Sequence, residues 1–259
     1  MAASVSRCAL SGPVAKASLC GGALVVMLAG LVLLRVVPGR DTLARAWRER
    51  TAAAEREART AEFLDRFAIE NRLAAAGAVV LLGSSTIERG PYAELFPETR
   101  ILNRGIGGED SRALNARLVD SLPDAKPAGV FVYAGAADLR VDGVSPEEAA
   151  RRVAAVCGTL APQQGQYMTV PVAIIEVLSE VAPTPKRLAD VRALNASLAI
   201  LAAEHGFAFV RTSVPPLVDA EGRLPAALSS DGVHLNDAGY RALAARMRID
   251  GGAAALALR

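Results

Sequence analysis

The chain has 259 residues, 52% hydrophobic and 22% charged, which is enough apolar material for a full core. Its 29 Lys and Arg against 27 Asp and Glu leave a net charge of +2, so no electrostatic footprint for nucleic acid exists. Aromatic residues make up only 4%, which excludes a base-stacking platform as well.

A tail of residues 1–16 precedes an uncharged run from Ala17 to Leu34. As a helix this run spans about 27 Å, close to the hydrocarbon thickness of a bilayer. Arg7 and Lys16 come before it and Arg35 closes it. The competing reading is a cleaved signal peptide, whose apolar region is usually only ~7–15 residues long. The nearest Ala-x-Ala, Ala44-Arg45-Ala46, lies past Arg35 and Arg40, a poor cleavage context. The expectation is therefore a transmembrane anchor over 17–37. Counting Lys and Arg on the two flanks places the remainder of the chain on the cytoplasmic side.

Residues 38–61 read as a helical linker. Ala, Arg and Glu dominate from Asp41 to Ala76 with no Gly or Pro, a strong helix-forming composition. Glu55-Arg56-Glu57-Ala58-Arg59 reads as a solvated face. Phe63 and Phe67, four residues apart, suit a helix docking onto the domain that starts near residue 62. Of Cys8, Cys20 and Cys157, only the last lies in that domain, so no disulfide framework forms within it. No Cys/His spacing suggests zinc.

Five apolar runs occupy the domain: Ala78–Leu82, Arg100–Leu102, Gly129–Tyr133, Val170–Val177 and Phe207–Arg211. They alternate with helical stretches at Ser111–Leu122, Pro146–Leu160, Arg187–Glu204 and Asn236–Met247. This alternation predicts a parallel five-stranded sheet with helices on both faces. Ser145-Pro146-Glu147-Glu148 marks a helix start, and Gly206 after Glu204-His205 marks a helix end. His205 ends a helix and precedes a strand, so it belongs at the sheet edge remote from any site.

The loops that leave the strands carry the chemistry. After the first strand comes Gly83-Ser84-Ser85-Thr86, and after the second Asn103-Arg104-Gly105-Ile106-Gly107-Gly108. After the third comes Gly135-Ala136-Ala137-Asp138, and beyond the fifth Asp231-Gly232-Val233-His234-Leu235. In an open α/β sheet, ligands bind beyond the carboxyl ends of the strands. A serine there is a poor nucleophile until an imidazole accepts its proton, and a carboxylate must hold that imidazole in the right tautomer. Ser85, His234 and Asp231 supply the three groups, and the short Asp–His spacing lets one loop present two of them. Taken singly, each has a plainer use. Ser85 or Ser84 suits a helix cap, His234 a structural histidine, Asp231-Gly232 a turn, and the glycines a permissive loop. Their order and common sheet edge favour catalysis.

In that order the four motifs resemble the SGNH/GDSL hydrolase (esterase/lipase) superfamily over about residues 62–248. The resemblance implies a flavodoxin-like three-layer α/β/α sandwich. It implies Ser85 as nucleophile, Asp231 and His234 as acid and base, and an oxyanion hole from the backbone N–H groups of Ser85 and Gly108. Two departures stand out. Ser84 replaces the family's common Asp before the nucleophile. Ala137 stands where the family has an Asn that donates a third hydrogen bond to the oxyanion, and Asn103 or Arg104 is left as a substitute donor. Family members with such an anchor often work outside the cytoplasm, and that placement is preferred to the one the arginine count gives.

The expected function is a membrane-anchored, single-pass serine esterase acting on acyl or O-acetyl esters of small molecules, glycans or lipids. It needs no metal and no organic cofactor. The alternative is a tethered ligand-binding domain whose catalysis is impaired by Ala137. A scaffold with an anion-cradling first loop fits less well, because it would not need Asp231 and His234 at the same edge. Nothing in the sequence assigns an oligomeric state.

Overall fold

The computed structural model describes residues 40–161 and 170–259. The expected anchor over 17–37 lies outside the described residues. Among the described residues, no helix is long and apolar enough to cross a membrane. The described residues within 40–59 and within 60–259 belong to two separate units.

The elements run α1 (Arg40–Leu73), β1 (Val79–Gly83), α2 (Ser85–Glu88), α3 (Tyr92–Leu95), β2 (Ile101–Gly105) and α4 (Ser111–Ala116). Then come β3 (Gly129–Tyr133), α5 (Pro146–Leu160), β4 (Val172–Ile175), α6 (Pro185–His205), β5 (Ala208–Val210), α7 (Asp237–Asp250) and α8 (Gly252–Ala255). All five strands pair in parallel, in the order β2-β1-β3-β4-β5. This is the flavodoxin-like order, whose switch point lies between β1 and β3.

Both sheet faces are covered. Period-two alternation sends Val80 and Leu82 into one apolar cluster with Leu114, Val153 and Leu198. Val79 and Leu81 enter the other with Tyr92, Leu243 and Met247. Strands buried on both faces are why the runs read as continuous Val, Leu and Ile and not as alternating ones. Each such side chain contributes about 1.5–3 kcal/mol on burial. Ser145 caps α5 by accepting the Glu148 N–H, and Gly206 ends α6 in the left-handed region.

Three boundaries depart from the sequence reading, each because a polar side chain is satisfied inside the fold. The second strand does not stop at Leu102 but runs through Asn103 and Arg104 to Gly105, in register with β1. Arg104 is fully buried there, donating to Glu70, to Asn71 Oδ1 at 2.9 Å and to the Ser121 carbonyl at 3.0 Å. Its guanidinium also lies 4.4 Å from the Phe67 ring centre. The expected helix over Ser111–Leu122 breaks after Ala116, because Arg117 turns inward as a buried donor, and resumes as a 3-10 turn at Val119–Ser121. The fourth strand is limited to Val172–Ile175. Pro171 has no N–H to contribute, and Asn195 takes both the N–H and the carbonyl of Val177 at 2.8 Å each. Asn195 is the polar interruption in the otherwise apolar stripe of α6.

Candidate active site

The carboxyl ends of β1 and β3 lie side by side, with Gly83 paired to Tyr133. Beyond Gly83 the chain turns into α2 with Ser85 at its first position, half-buried. Ser84 occupies the cap position but makes no side-chain cap bond, so the capping role open to it in the sequence is not used. The turn is fixed from below: the Thr86 carbonyl accepts the hydroxyls of Tyr240 at 3.0 Å and Tyr92 at 3.3 Å. Burial raises both phenols above their ordinary pKa, which keeps them protonated donors.

On the other side, an antiparallel bridge between Ser229 and Leu235 closes the loop that carries Asp231 and His234. Ser229 Oγ donates to the His234 carbonyl at 2.8 Å and accepts the Gly232 N–H at 2.9 Å. Across 149 positions of sequence, His234 Nε2 comes 3.0 Å from Ser85 Oγ. The other ring nitrogen, Nδ1, is 2.6 Å from Asp231 Oδ2. Asp231 Oδ1 also accepts the backbone N–H groups of His234 at 2.7 Å and Val233 at 3.0 Å. These bonds, the His234 N–H first, hold the Asp231 carboxyl well below the usual carboxylate range. An ionised Asp231 accepts a hydrogen bond from the Nδ1–H, which fixes that tautomer and leaves Nε2 free to accept from Ser85.

Gly108 lies beyond β2 at φ +85°, a backbone conformation that side chains rarely adopt. Its loop is tied down next door, where Glu88 Oε2 accepts the Gly107 N–H at 2.6 Å. The N–H groups of Ser85 and Gly108 have no hydrogen-bond partner among the described residues. Ser85, Gly108 and His234 line one cavity of about 30 Å³, together with Ala137 and Leu178, while Asp231 stands behind His234.

Ala137 presents only a methyl group to this cavity. Neither substitute left open by the sequence is free to replace an Asn there. Asn103 Nδ2 donates to the Ile87 carbonyl at 2.7 Å and the Glu88 carbonyl at 3.3 Å, and Arg104 is committed beneath the sheet edge. The neighbouring Asp138 is buried, accepting both the N–H and the hydroxyl of Ser111.

The carboxylates of Asp110, Asp138 and Asp142 fall within 4.8 Å of one another, the one such group among the described residues. Arg152 Nη1 donates to all three, at 3.3, 3.2 and 2.7 Å, so a guanidinium already occupies the place a cation would take.

Sequence reasoning passed over several residues that shape the site. Arg117 reaches under the loops and donates to the Gly83 and Arg104 carbonyls at the ends of β1 and β2, at 3.3 and 3.0 Å. The Tyr133 hydroxyl accepts the Leu178 N–H at 3.2 Å, which holds the loop after β4 against the cavity. Glu88, three residues after Ser85, resembles any solvent-facing helix residue in the sequence. His205 stacks on Phe207 at 5.3 Å between ring centres and takes no part.

The pattern of the GDSL-like Lipase/Acylhydrolase family matches residues 89–242 and so begins just after Ser85. No curated protein matches the chain. Among solved structures, a Streptococcus pneumonia protein provisionally described as a platelet activating factor is 23% identical, with a TM-score of 0.69 over 80% of this chain and 98% of that one. A GDSL-like lipase from Bacteroides thetaiotaomicron is 22% identical, with a TM-score of 0.57 over 72% and 95%. An acetylxylan esterase from Geobacillus stearothermophilus is 20% identical, with a TM-score of 0.54 over 69% and 95%. At these identities the likeness is one of fold.

Proposed function

Because the chain belongs to the GDSL-like lipase/acylhydrolase family, we propose that it is a serine esterase cleaving acyl or O-acetyl esters through Ser85, His234 and Asp231. The observation that carries this reading is the single imidazole set between Ser85 Oγ at 3.0 Å and Asp231 Oδ2 at 2.6 Å. His234 Nε2 takes the Ser85 proton as Oγ attacks the ester carbonyl. Asp231, ionised, stabilises the imidazolium that forms. The tetrahedral oxyanion is met by the Ser85 and Gly108 N–H groups, which no protein carbonyl among the described residues competes for. The imidazolium then protonates the departing alkoxide, and water attacks the acyl-serine with His234 again as base.

The cavity favours short acyl groups. One water needs about 10–15 Å³ by the same measure, so 30 Å³ suits an acetyl group better than a fatty chain. That a fold neighbour is an acetylxylan esterase agrees with an O-acetyl substrate. The purified protein is expected to hydrolyse p-nitrophenyl acetate, and an unchanged rate in Ser85→Ala would remove Ser85 from the mechanism.

Ala137 supports a second reading, a ligand-binding member of the family whose turnover is impaired. Loss of one oxyanion donor costs on the order of 100- to 1,000-fold in turnover, so two donors leave a slow enzyme and not an inert one. A fluorophosphonate probe separates the two: labelling at Ser85 supports the enzyme, and no labelling supports the binder. The uncharged run Ala17–Leu34 supports tethering to a membrane; placing the catalytic domain outside the cytoplasm rests on the family resemblance and goes against the Lys and Arg count. Retention through a carbonate wash, with labelling of intact cells by an impermeant probe, tests both parts.

A further inference from the structure

The cavity mouth carries a charge that ester cleavage by the triad does not use. Arg140, Arg187 and Glu180 line the same cavity as Ser85 and His234. Arg187 and Glu180 face each other at 3.3 Å, both side chains mostly buried, and cancel. Arg140 is different. It is exposed, on the π-helical turn Asp138–Asp142, and has no hydrogen-bond or ion-pair partner among the described residues.

Its nearest carboxylates in sequence are already taken. Asp138 is held by Ser111 and Arg152, and Asp142 by Arg152 at 2.7 Å and Arg112 at 3.6 Å. Asp231, the other acid near the site, is satisfied by His234 and by Arg89 at 3.4 Å. Counting Arg89, Arg140 and Arg187 against Glu180 and Asp231 leaves one positive charge in excess, and Arg140 carries it. A guanidinium without a carboxylate presents a fork that fits carboxylate, phosphate or sulfate.

We infer that Arg140 selects esters carrying an anionic group on the alcohol side, a few bonds from the ester oxygen. This rests on the esterase reading and names its substrate class. The alcohol side follows from exposure: Ala137 and Leu178, which line the cavity with Ser85, are buried, whereas Arg140 is exposed to solvent. The anion therefore sits at the open mouth, where the exposed Arg140 head lies.

The test compares three acetate esters with the full-length protein: phenyl acetate, 4-acetoxybenzoate and 4-acetoxyphenyl phosphate. In Arg140→Gln, the ratio of kcat/KM for each charged ester to that for phenyl acetate is expected to fall about 10-fold, the scale of one charge-assisted hydrogen bond. Added salt should compress the wild-type ratio in the same direction. A fall with the phosphate alone identifies phosphate esters as the class, and a fall with the carboxylate alone identifies esters of hydroxy acids. An unchanged ratio with both, even if every rate drops, overturns the assignment and makes Arg140 a general contributor to turnover or a solvated residue. Calorimetric binding of 4-acetoxybenzoate to Ser85→Ala, with and without Arg140→Gln, keeps the two proposals apart. If the wild type hydrolyses none of the three, the esterase reading falls, and the binding difference still decides the role of Arg140. Equal binding by both proteins would then reject it.

Discussion

Glu88 Oε2 accepts the Gly107 N–H at 2.6 Å, joining the turn that begins at Ser85 to the loop that ends at Gly108. The two backbone N–H groups proposed for the oxyanion hole therefore belong to segments fastened to each other. Glu88→Ala releases that tie without emptying the core. Turnover of p-nitrophenyl acetate is expected to drop about 10-fold, the scale of misplacing one oxyanion donor in part. The melting temperature should change by only a few degrees. A variant with full turnover would show that the loop holds its position by other contacts.

Ala137→Asn should raise turnover. The position lies at the cavity wall, and Asn103 and Arg104, the substitute donors the sequence left open, are bonded elsewhere. A restored third donor contributes up to about 100-fold in kcat, and little in KM, because it acts on the charge of the transition state. Steady-state kinetics on one ester resolves the two parameters, and a change in KM alone would count against the assignment.

Gly108→Ala and Gly105→Ala are expected to fail differently. A Cβ on Gly108 meets nothing within 4 Å, so its cost is the φ of +85° alone, about 1 kcal/mol. The protein should stay folded and lose activity as the loop shifts. A Cβ on Gly105 would lie 2.1 Å from the Glu88 backbone nitrogen, so β2 and α2 must separate. That variant should lose stability as well, by a urea-midpoint shift clearly larger than the small one expected of Gly108→Ala.

Arg104→Met tests the buried cation under β2. Methionine keeps some of the volume but leaves Asn71 Oδ1 and the Ser121 carbonyl without their donor. Unsatisfied buried acceptors cost about 1–3 kcal/mol each, so a loss of about 3 kcal/mol in urea unfolding is expected. Glu70, whose side chain is partly exposed, turns to water and adds little. A loss below about 1 kcal/mol would mean the network is replaceable by apolar contact.

Acid should act through Asp231 in a defined direction. Its carboxyl is held below the usual range by the His234 and Val233 donors, so the folded state binds its proton more weakly than the unfolded state. Its contribution to stability is therefore complete above about pH 3.9, the unfolded value. It declines as pH drops below that and is gone once the folded value is passed. The stability difference between wild type and Asp231→Asn should be flat from neutral pH to about 5 and close in stronger acid. A difference that grows on acidification would reverse the sign of the shift.

Much of the fold was legible because it rests on local signals. Runs such as Val79-Val80-Leu81-Leu82, short and closed by the turn at Gly83, read as strands buried on both faces, and Ser145-Pro146 and His205-Gly206 mark helix ends by their backbone requirements. The reading failed where a polar residue was satisfied from far away in sequence. Arg104 looked like loop and Arg117 fell inside the expected helix Ser111–Leu122, yet each is buried against partners from other elements.

The sequence by itself determined the strand–helix alternation and the residue types at the carboxyl edge, since periodicity and turn chemistry act over a few residues. Only the tertiary structure decided that His234 reaches Ser85, that Asn103 is spent on the Ile87 and Glu88 carbonyls, and that Arg140 is left without a counter-ion among the described residues. Those outcomes depend on which donors and acceptors packing brings within about 3 Å, and partners separated by a hundred positions leave no local trace in the chain.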